Sequence, residues 1–233
     1  MIAQFIHKIR YFLIHRDSEK YLNYLRQKGV AIGEGCHCND PKTCEIDISR
    51  PSLVTIGNNV LMNRNFTLLT HDFVAGVFIN SGREFVPSSG RVCVGNNVRF
   101  GHNVMVLKGV KIGNNVFIGA NSVVNKDIPD NCIAVGNPCK VVKTLDEYYQ
   151  QRKERCVEEA LEYARSIQER YNRRPVPADF WEEFTLFVDG DMVDDYPEIP
   201  IKRQLGPVYE DYCKNHKAMY PGFEEFLKAA NIK

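Results

Sequence analysis

With 233 residues, 44% of them apolar, the chain is long enough to bury a sizeable core, and Lys+Arg 30 against Asp+Glu 29 leaves no charge excess with which to hold a polyanion such as nucleic acid. No apolar run approaches the ~18 residues that cross a membrane. The amino-terminal MIAQFIHKIRYFLIHR is interrupted by His7, Lys8 and Arg10 and reads as no secretory signal, so a cytoplasmic protein is expected, its 8 cysteines reduced.

Residues 1–29 read as an amphipathic helical cap. Ile2, Phe5, Ile6, Ile9, Phe12 and Leu13 form a stripe at helical spacing. Lys8, Arg10 and Arg16 lie outside it, which would suit contact with an anionic membrane surface, but covering the end of a repeat domain is the favoured reading. The next stretch, CHCNDPKTC, places Cys36, His37, Cys38 and Cys44 together. Structural zinc is ordinarily held by paired C-x2-4-C knuckles, and a single C-x-C is read instead as small buried thiols.

From Val94 the chain runs in sixes: VGNNVR, FGHNVM, VLKGVK, IGNNVF, IGANSV, VNKDIP. Eleven of the twelve residues at positions 1 and 5 are apolar, Ser122 being the exception; at 44% apolar residues the chance of this is about one in a thousand. A helix of 3.6 residues per turn cannot keep such a stripe on one face, whereas short strands bent every six residues can. The recurring GNN supplies glycine and asparagine, which tolerate the positive φ that sharp corners require. Stacked hexads make a β-solenoid over residues 30–143, in which each coil covers the apolar face of the one before.

The same phase appears upstream at Ile32, Ile56 and Met62, and blurs between the first two, where Lys42 and Arg50 fall on inward positions and imply a loop. The sharper break follows FTLLTHDFV. Leu68 and Val94 would both hold position 1, yet they lie 26 residues apart, so residues 73–93 must project from the solenoid. Irregular excursions from a regular scaffold usually carry function, and His71 stands where this one begins.

After the solenoid, residues 144–233 read as a helical extension. Thr144 and Glu147 form a capping box, and Leu145, Tyr149, Cys156, Ala160, Ala164, Ile167 and Tyr171 keep helical spacing to about Arg173. ADFWEEFTLF and PGFEEFLKAANIK are short helical candidates. The acids between them, Asp194 and Asp195 included, read as solvated turn residues.

Three features together resemble the hexapeptide-repeat acyltransferases, among them galactoside, maltose and xenobiotic acetyltransferases and the capsule-type O-acetyltransferases. They are the hexads, a Thr-His pair opening a loop between coils, and the ending VVNKDIPDNCIAVGNPCKVVKTL. LVTIGNNVLMNRNFTLLTHD is most similar to the capsule-type branch. The resemblance covers residues 30–145. It implies a left-handed parallel β-helix, a homotrimer and acetyl-CoA as donor. The general rule for parallel crossovers would give a right hand, so the left hand comes from the resemblance.

Moving an acetyl group from a thioester to a hydroxyl requires a base for the hydroxyl proton, donors for the oxyanion, and alignment. An imidazole, ordinarily titrating near pH ~6.5, suits the first requirement. The resemblance gives His71 that role, with direct attack and no acyl-enzyme. Asp72 is a weak choice to orient it, because adjacent strand residues point to opposite sides. Cys93, Cys132 and Cys139 lack a His/Asn setting and read as packing or surface residues rather than nucleophiles.

By matched position, Ala120 and His102 stand where main-chain groups would contact the pantetheine arm. Asn125 and Lys126 stand at the small-polar-plus-lysine site, and Lys140 and Lys143 where cations approach the phosphates. His102 departs from the smaller residue common there. His71 of one subunit is expected to work with Lys126 and Lys140 of its neighbour. No metal is expected: the family's zinc-dependent carbonic anhydrases need a close histidine pair, and His37, His71 and His102 are 34 and 31 residues apart. The reading is therefore an acetyl-CoA-dependent O-acetyltransferase acting on a sugar hydroxyl, plausible in surface polysaccharide synthesis. The alternatives are N-acetylation of an amino sugar or nucleotide sugar, and a hexapeptide scaffold without catalysis.

Overall fold

The computed structural model describes residues 11–233; the apolar stripe from Ile2 to Ile9 lies outside the described residues. The chain divides into two compact units, one ending at Tyr148 and the other spanning Tyr149–Lys233.

The first unit is a three-faced parallel solenoid. One face stacks β1 (Ala31–Ile32), β4 (Val54–Ile56), β7 (Val92–Val94) and β10 (Lys111–Ile112). The second stacks β2 (His37–Cys38), β5 (Leu61–Met62), β8 (Val98–Phe100), β11 (Val116–Ile118) and β13 (Cys132–Val135), and the third β3 (Glu45–Ile46), β6 (Thr67–Leu68), β9 (Met105–Val106) and β12 (Val123–Val124). All these pairings are parallel. The last strand, β14 (Lys140–Thr144), turns back antiparallel on β13.

The hexad stripe is the core. Val94, Phe100, Val106, Ile112, Ile118 and Val124, with Val98, Val104, Val110, Val116 and Ile128, are all buried. Ser122, the polar exception, is buried too, and its hydroxyl is satisfied: it donates to Gly119 O at 2.7 Å and accepts from Gly136 N at 3.0 Å.

The GNN corners divide labour in a way their composition did not specify. Positive φ is taken by the second asparagine (Asn59 55°, Asn97 54°, Asn115 56°). The glycine is there for room, since a Cβ on Gly95 would stand 2.5 Å from Gly113 O. The asparagine side chains then bond from coil to coil, Asn97 Nδ2 to Asn115 Oδ1 at 2.9 Å and Asn115 Nδ2 to Asn131 Oδ1 at 2.8 Å, so the corners are tied as well as bent.

Helix α1 (Ser18–Gln27) is capped by Asp17, whose carboxylate accepts from Lys20 N at 2.9 Å. It sends Tyr21, Leu22 and Leu25 into the solenoid core. Phe12 and Leu13, which continue the predicted stripe, are exposed. In the first coil both corners flanking β3 are longer than in later coils, the one before it by a turn around Lys42 and the one after it by a short 3-10 turn at Pro51–Leu53, and together they account for the blurred phase there. After β6 the predicted excursion leaves the solenoid, but it closes earlier than residue 93: His71 bridges back to Ser89, a short helix α2 (Val74–Asn80) lies between them, and Val92 and Cys93 already stack in β7.

The second unit is helical. Its first element continues from the Thr144 box, in which Thr144 N donates to Glu147 Oε2 at 2.8 Å and Glu147 N to Thr144 Oγ1 at 3.2 Å. That element, α3 (Leu145–Tyr171), buries Ala160, Leu161, Ala164 and Ile167, whereas Tyr149 and Tyr171 of the predicted stripe are exposed. Phe180, Phe184, Phe187, Phe223 and Phe226 fill the core beside it. Asp194 and Asp195 lie exposed in a 3-10 turn.

Candidate active site

His71 is held from the coil below. β3 pairs with β6 in the register Glu45 to Thr67 and Ile46 to Leu68, so Asp47 emerges beneath the chain that leads to Thr70 and His71. Asp47 Oδ2 lies 2.6 Å from His71 Nδ1 and accepts from Thr70 N at 3.1 Å and from Thr70 Oγ1. Its other oxygen accepts from Ser49 N at 2.9 Å and Ser49 Oγ at 2.7 Å. Burial of the side chain (8% exposed) opposes ionisation, but these hydrogen bonds from Thr70, Ser49 and His71 outweigh it and hold the carboxyl well below its usual range.

An ionised carboxylate only accepts, so Nδ1 of His71 carries the proton and Nε2 presents a lone pair. The ring is 20% exposed and lines a cavity of about 620 Å3. Phe73, 83% exposed, sets its ring against the imidazole at 5.1 Å and 73°.

Asp72 does not share this role. It faces away, pairing with Lys108 Nζ at 2.5 Å and accepting from Ser88 Oγ and Val74 N, each at 3.1 Å. These contacts, led by Lys108, hold its own carboxyl low and pin the two ends of the excursion to the scaffold. Gly90 completes the return: its N–H donates to Thr70 O at 2.9 Å, and a Cβ there would meet Gly109 N at 2.7 Å.

Sequence reasoning missed Asp47 and Ser49. The available signal was register: a carboxylate one coil before the Thr-His pair on the same corner, masked because the phase was lost in that coil.

The remaining candidates are exposed and lie on different parts of the prism. His102 and Ala120 adjoin at the corner between the second and third faces, where Asn121 N donates to His102 O at 2.8 Å. Asn125 and Lys126 follow β12 at the next corner. The register Leu68–Val106–Val124 places Lys126 two coils beyond Thr70 on His71's own edge, roughly 10 Å at ordinary strand spacing. Lys108, paired with Asp72, stands at the intervening register one coil beyond Thr70. Lys140 and Lys143 lie on β14, opposite Val135 and Ile133, away from that edge. His37, His71 and His102 follow or occupy separate strands, and no group of three or more His, Cys, Asp or Glu among the described residues is placed to hold a metal ion. Cys38 and Cys44 are buried beside one another, Cys132 and Cys139 are buried, and Cys93 is partly so. No described helix is long and apolar enough to cross a membrane.

The chain is a scaffold of stacked hexad coils with a loop that opens on a carboxylate-held histidine, and the comparisons with known proteins give its class. Residues 94–126 match the family model described as bacterial transferase hexapeptide (six repeats). Protein CapG of Staphylococcus aureus is 37% identical over 124 residues, 53% of this chain and 71% of that protein. Galactoside O-acetyltransferase of Escherichia coli is 42% identical over 119 residues, 51% of this chain, which spans only 55% of that enzyme's length. A solved maltose O-acetyltransferase from Clostridium difficile 630 shares 31% identity over 55% of this chain and 75% of its own, with a TM-score of 0.39. The chain belongs to the hexapeptide-repeat acetyltransferases, enzymes whose acetyl donor is acetyl-CoA.

Proposed function

We propose that this protein transfers the acetyl group of acetyl-CoA to a carbohydrate hydroxyl, with His71 as general base. The observation that carries the reading is the Asp47–His71 pair at 2.6 Å, which leaves Nε2 unprotonated at the edge of a cavity. The acceptor oxygen attacks the thioester carbonyl as Nε2 takes its proton. The tetrahedral intermediate collapses with cleavage of the C–S bond, and the proton passes to the departing thiolate. The imidazolium formed on the way is stabilised by Asp47, already ionised and held by five donors.

His102 and Ala120 receive the pantetheine arm in this reading, Asn125 and Lys126 flank it, and Lys140 and Lys143 meet the phosphates. Lys126 and Lys140 make no ion pair among the described residues, which leaves their charge available to an anion. The solenoid is left-handed and trimeric, works in the cytoplasm, and joins donor and acceptor in the groove between neighbouring subunits. The spread of the candidates over two corners and a terminal strand supports a site built from more than one copy.

The test is acetyl transfer from labelled acetyl-CoA to a panel of sugars. Some pyranosides should be acetylated, and His71→Ala should lower turnover about 10²–10⁴-fold while folding normally. A His71→Ala protein with near-native transfer would overturn the assignment of the base.

A further inference from the structure

The cavity beside His71 has a second wall, formed by residues that precede the solenoid. Tyr11 and His15 line it together with Lys42, Ser49, His71 and Phe73. Its volume of about 620 Å3 falls within the ordinary size range of small-molecule sites.

His15 is built much as His71 is. Its Nδ1 lies 2.9 Å from Tyr11 O, a carbonyl that can only accept, so the proton sits on Nδ1 and Nε2 is left with a lone pair. That nitrogen has no partner among the described residues. The ring cannot swing freely. Tyr11 stacks on it at 3.9 Å and 22°, and Tyr21 packs against it at 5.0 Å. Tyr21 is itself fixed, buried with its hydroxyl donating to Cys44 O at 2.9 Å, three residues before Asp47. One cavity therefore carries two imidazoles, each with Nδ1 occupied by an oxygen and Nε2 unclaimed. Phe73, 83% exposed beside His71, adds an apolar platform at the rim.

We propose that this cavity is the acceptor site and that His15 is a binding residue in it, accepting a hydrogen bond from a second hydroxyl of a pyranose whose reacting hydroxyl faces His71. The inference rests on the reading of His71 as the base. A pyranose fits the chemistry of the wall, because it offers several hydroxyl donors around a ring whose C–H face packs on an aromatic side chain such as Phe73. His15 does not take the reacting proton; it selects which sugar, and which hydroxyl, is presented.

The experiment is steady-state kinetics of the full chain with the best pyranoside of the panel and its monodeoxy analogues. His15→Phe keeps a ring against Tyr11 and Tyr21 and deletes the nitrogens. It should raise the acceptor KM about 3–10-fold, the worth of one hydrogen bond, and leave kcat and the KM for acetyl-CoA within about twofold. One monodeoxy analogue should be bound more weakly than the parent sugar by the wild type but equally well by His15→Phe. His15→Gln, which restores an acceptor, should recover part of the loss and serves in its place if His15→Phe melts well below the wild type. If His15→Phe and His15→Gln treat every analogue as the wild type does, His15 binds no acceptor hydroxyl, and the role of His71 stands untouched. If His71→Ala retains turnover, or no pyranoside is acetylated at all, the underlying reading fails and this inference with it.

Discussion

Replacing Asp47 by asparagine isolates the contribution of the carboxylate to the reaction. Five donors converge on its two oxygens: Ser49 N and Oγ on one side, Thr70 N, Thr70 Oγ1 and His71 Nδ1 on the other. An asparagine keeps one oxygen, so its amide must point donors either at the Ser49 pair or at Thr70 and His71. In the second orientation the imidazole switches tautomer and Nε2 is protonated, useless as a base. In the first, the tautomer survives but the imidazolium of the transition state loses its negative partner. A charge-assisted hydrogen bond is worth about 1.5–3 kcal/mol, so kcat should fall about 10–150-fold, with both KM values nearly unchanged. Release of the coenzyme A thiol reports the rate continuously. The double variant Asp47→Asn/His71→Ala should be no slower than His71→Ala alone, because the carboxylate acts only through the ring. Activity of Asp47→Asn within about threefold of the wild type, or fully additive losses in the double variant, would show that the pair does not work as described.

Three further outcomes are expected. Because the folded-state carboxyl of Asp47 titrates below its unfolded value of ~3.9, its stabilisation is present above that value and is lost as pH falls through and below it; melting temperature should drop over this acid range, less steeply in Asp47→Asn. Gly95→Ala should lower the melting temperature sharply or prevent folding, since its Cβ meets Gly113 O at 2.5 Å, whereas Gly76→Ala, in α2 with nothing within 4 Å, should be neutral or slightly stabilising. Dissociated and reassembled mixtures of His71→Ala with Lys140→Glu/Lys143→Glu should be more active than either variant alone, because roughly a quarter of the interfaces in a random threefold ring would join an intact histidine to intact lysines; no recovery would place histidine and lysines in the same subunit.

What could be read from the chain depended on repetition. The hexads located the core residue by residue, Ser122 included, because a period of six leaves no freedom once one strand is placed. The excursion was visible as a phase error between Leu68 and Val94, and the Thr144–Glu147 box was legible because capping is local chemistry. Asp47 was not legible. It meets His71 only through the pairing of β3 with β6, and the irregular first coil hid that register. His15 escaped for a related reason: its place beside the cavity depends on how α1 and the residues before it pack, which no periodicity encodes. The GNN triplets were read correctly as corners, yet which residue bends and which makes room followed from the distance between stacked coils rather than from residue preference.

The reversal of the final strand has a consequence for solubility. A parallel solenoid ends in a row of unpaired amides and carbonyls, a template on which another chain can add, coil upon coil, into a fibre. β14 occupies that row on β13 in the opposite direction, so the next layer no longer matches the repeat, and all five of its residues are exposed, with Lys140 and Lys143 among them. At the other end α1 lies over the first coil, its Arg26 bonded to the carbonyls of Ile32 (3.1 Å) and Gly33 (2.8 Å). Each end of the solenoid thus carries an element that breaks the repeat, α1 over the first coil and β14 on the last strand of the second face. A chain cut before Lys140 would uncover the β13 edge of the second face, and a greater tendency to associate edge to edge, read by light scattering, is the expected outcome.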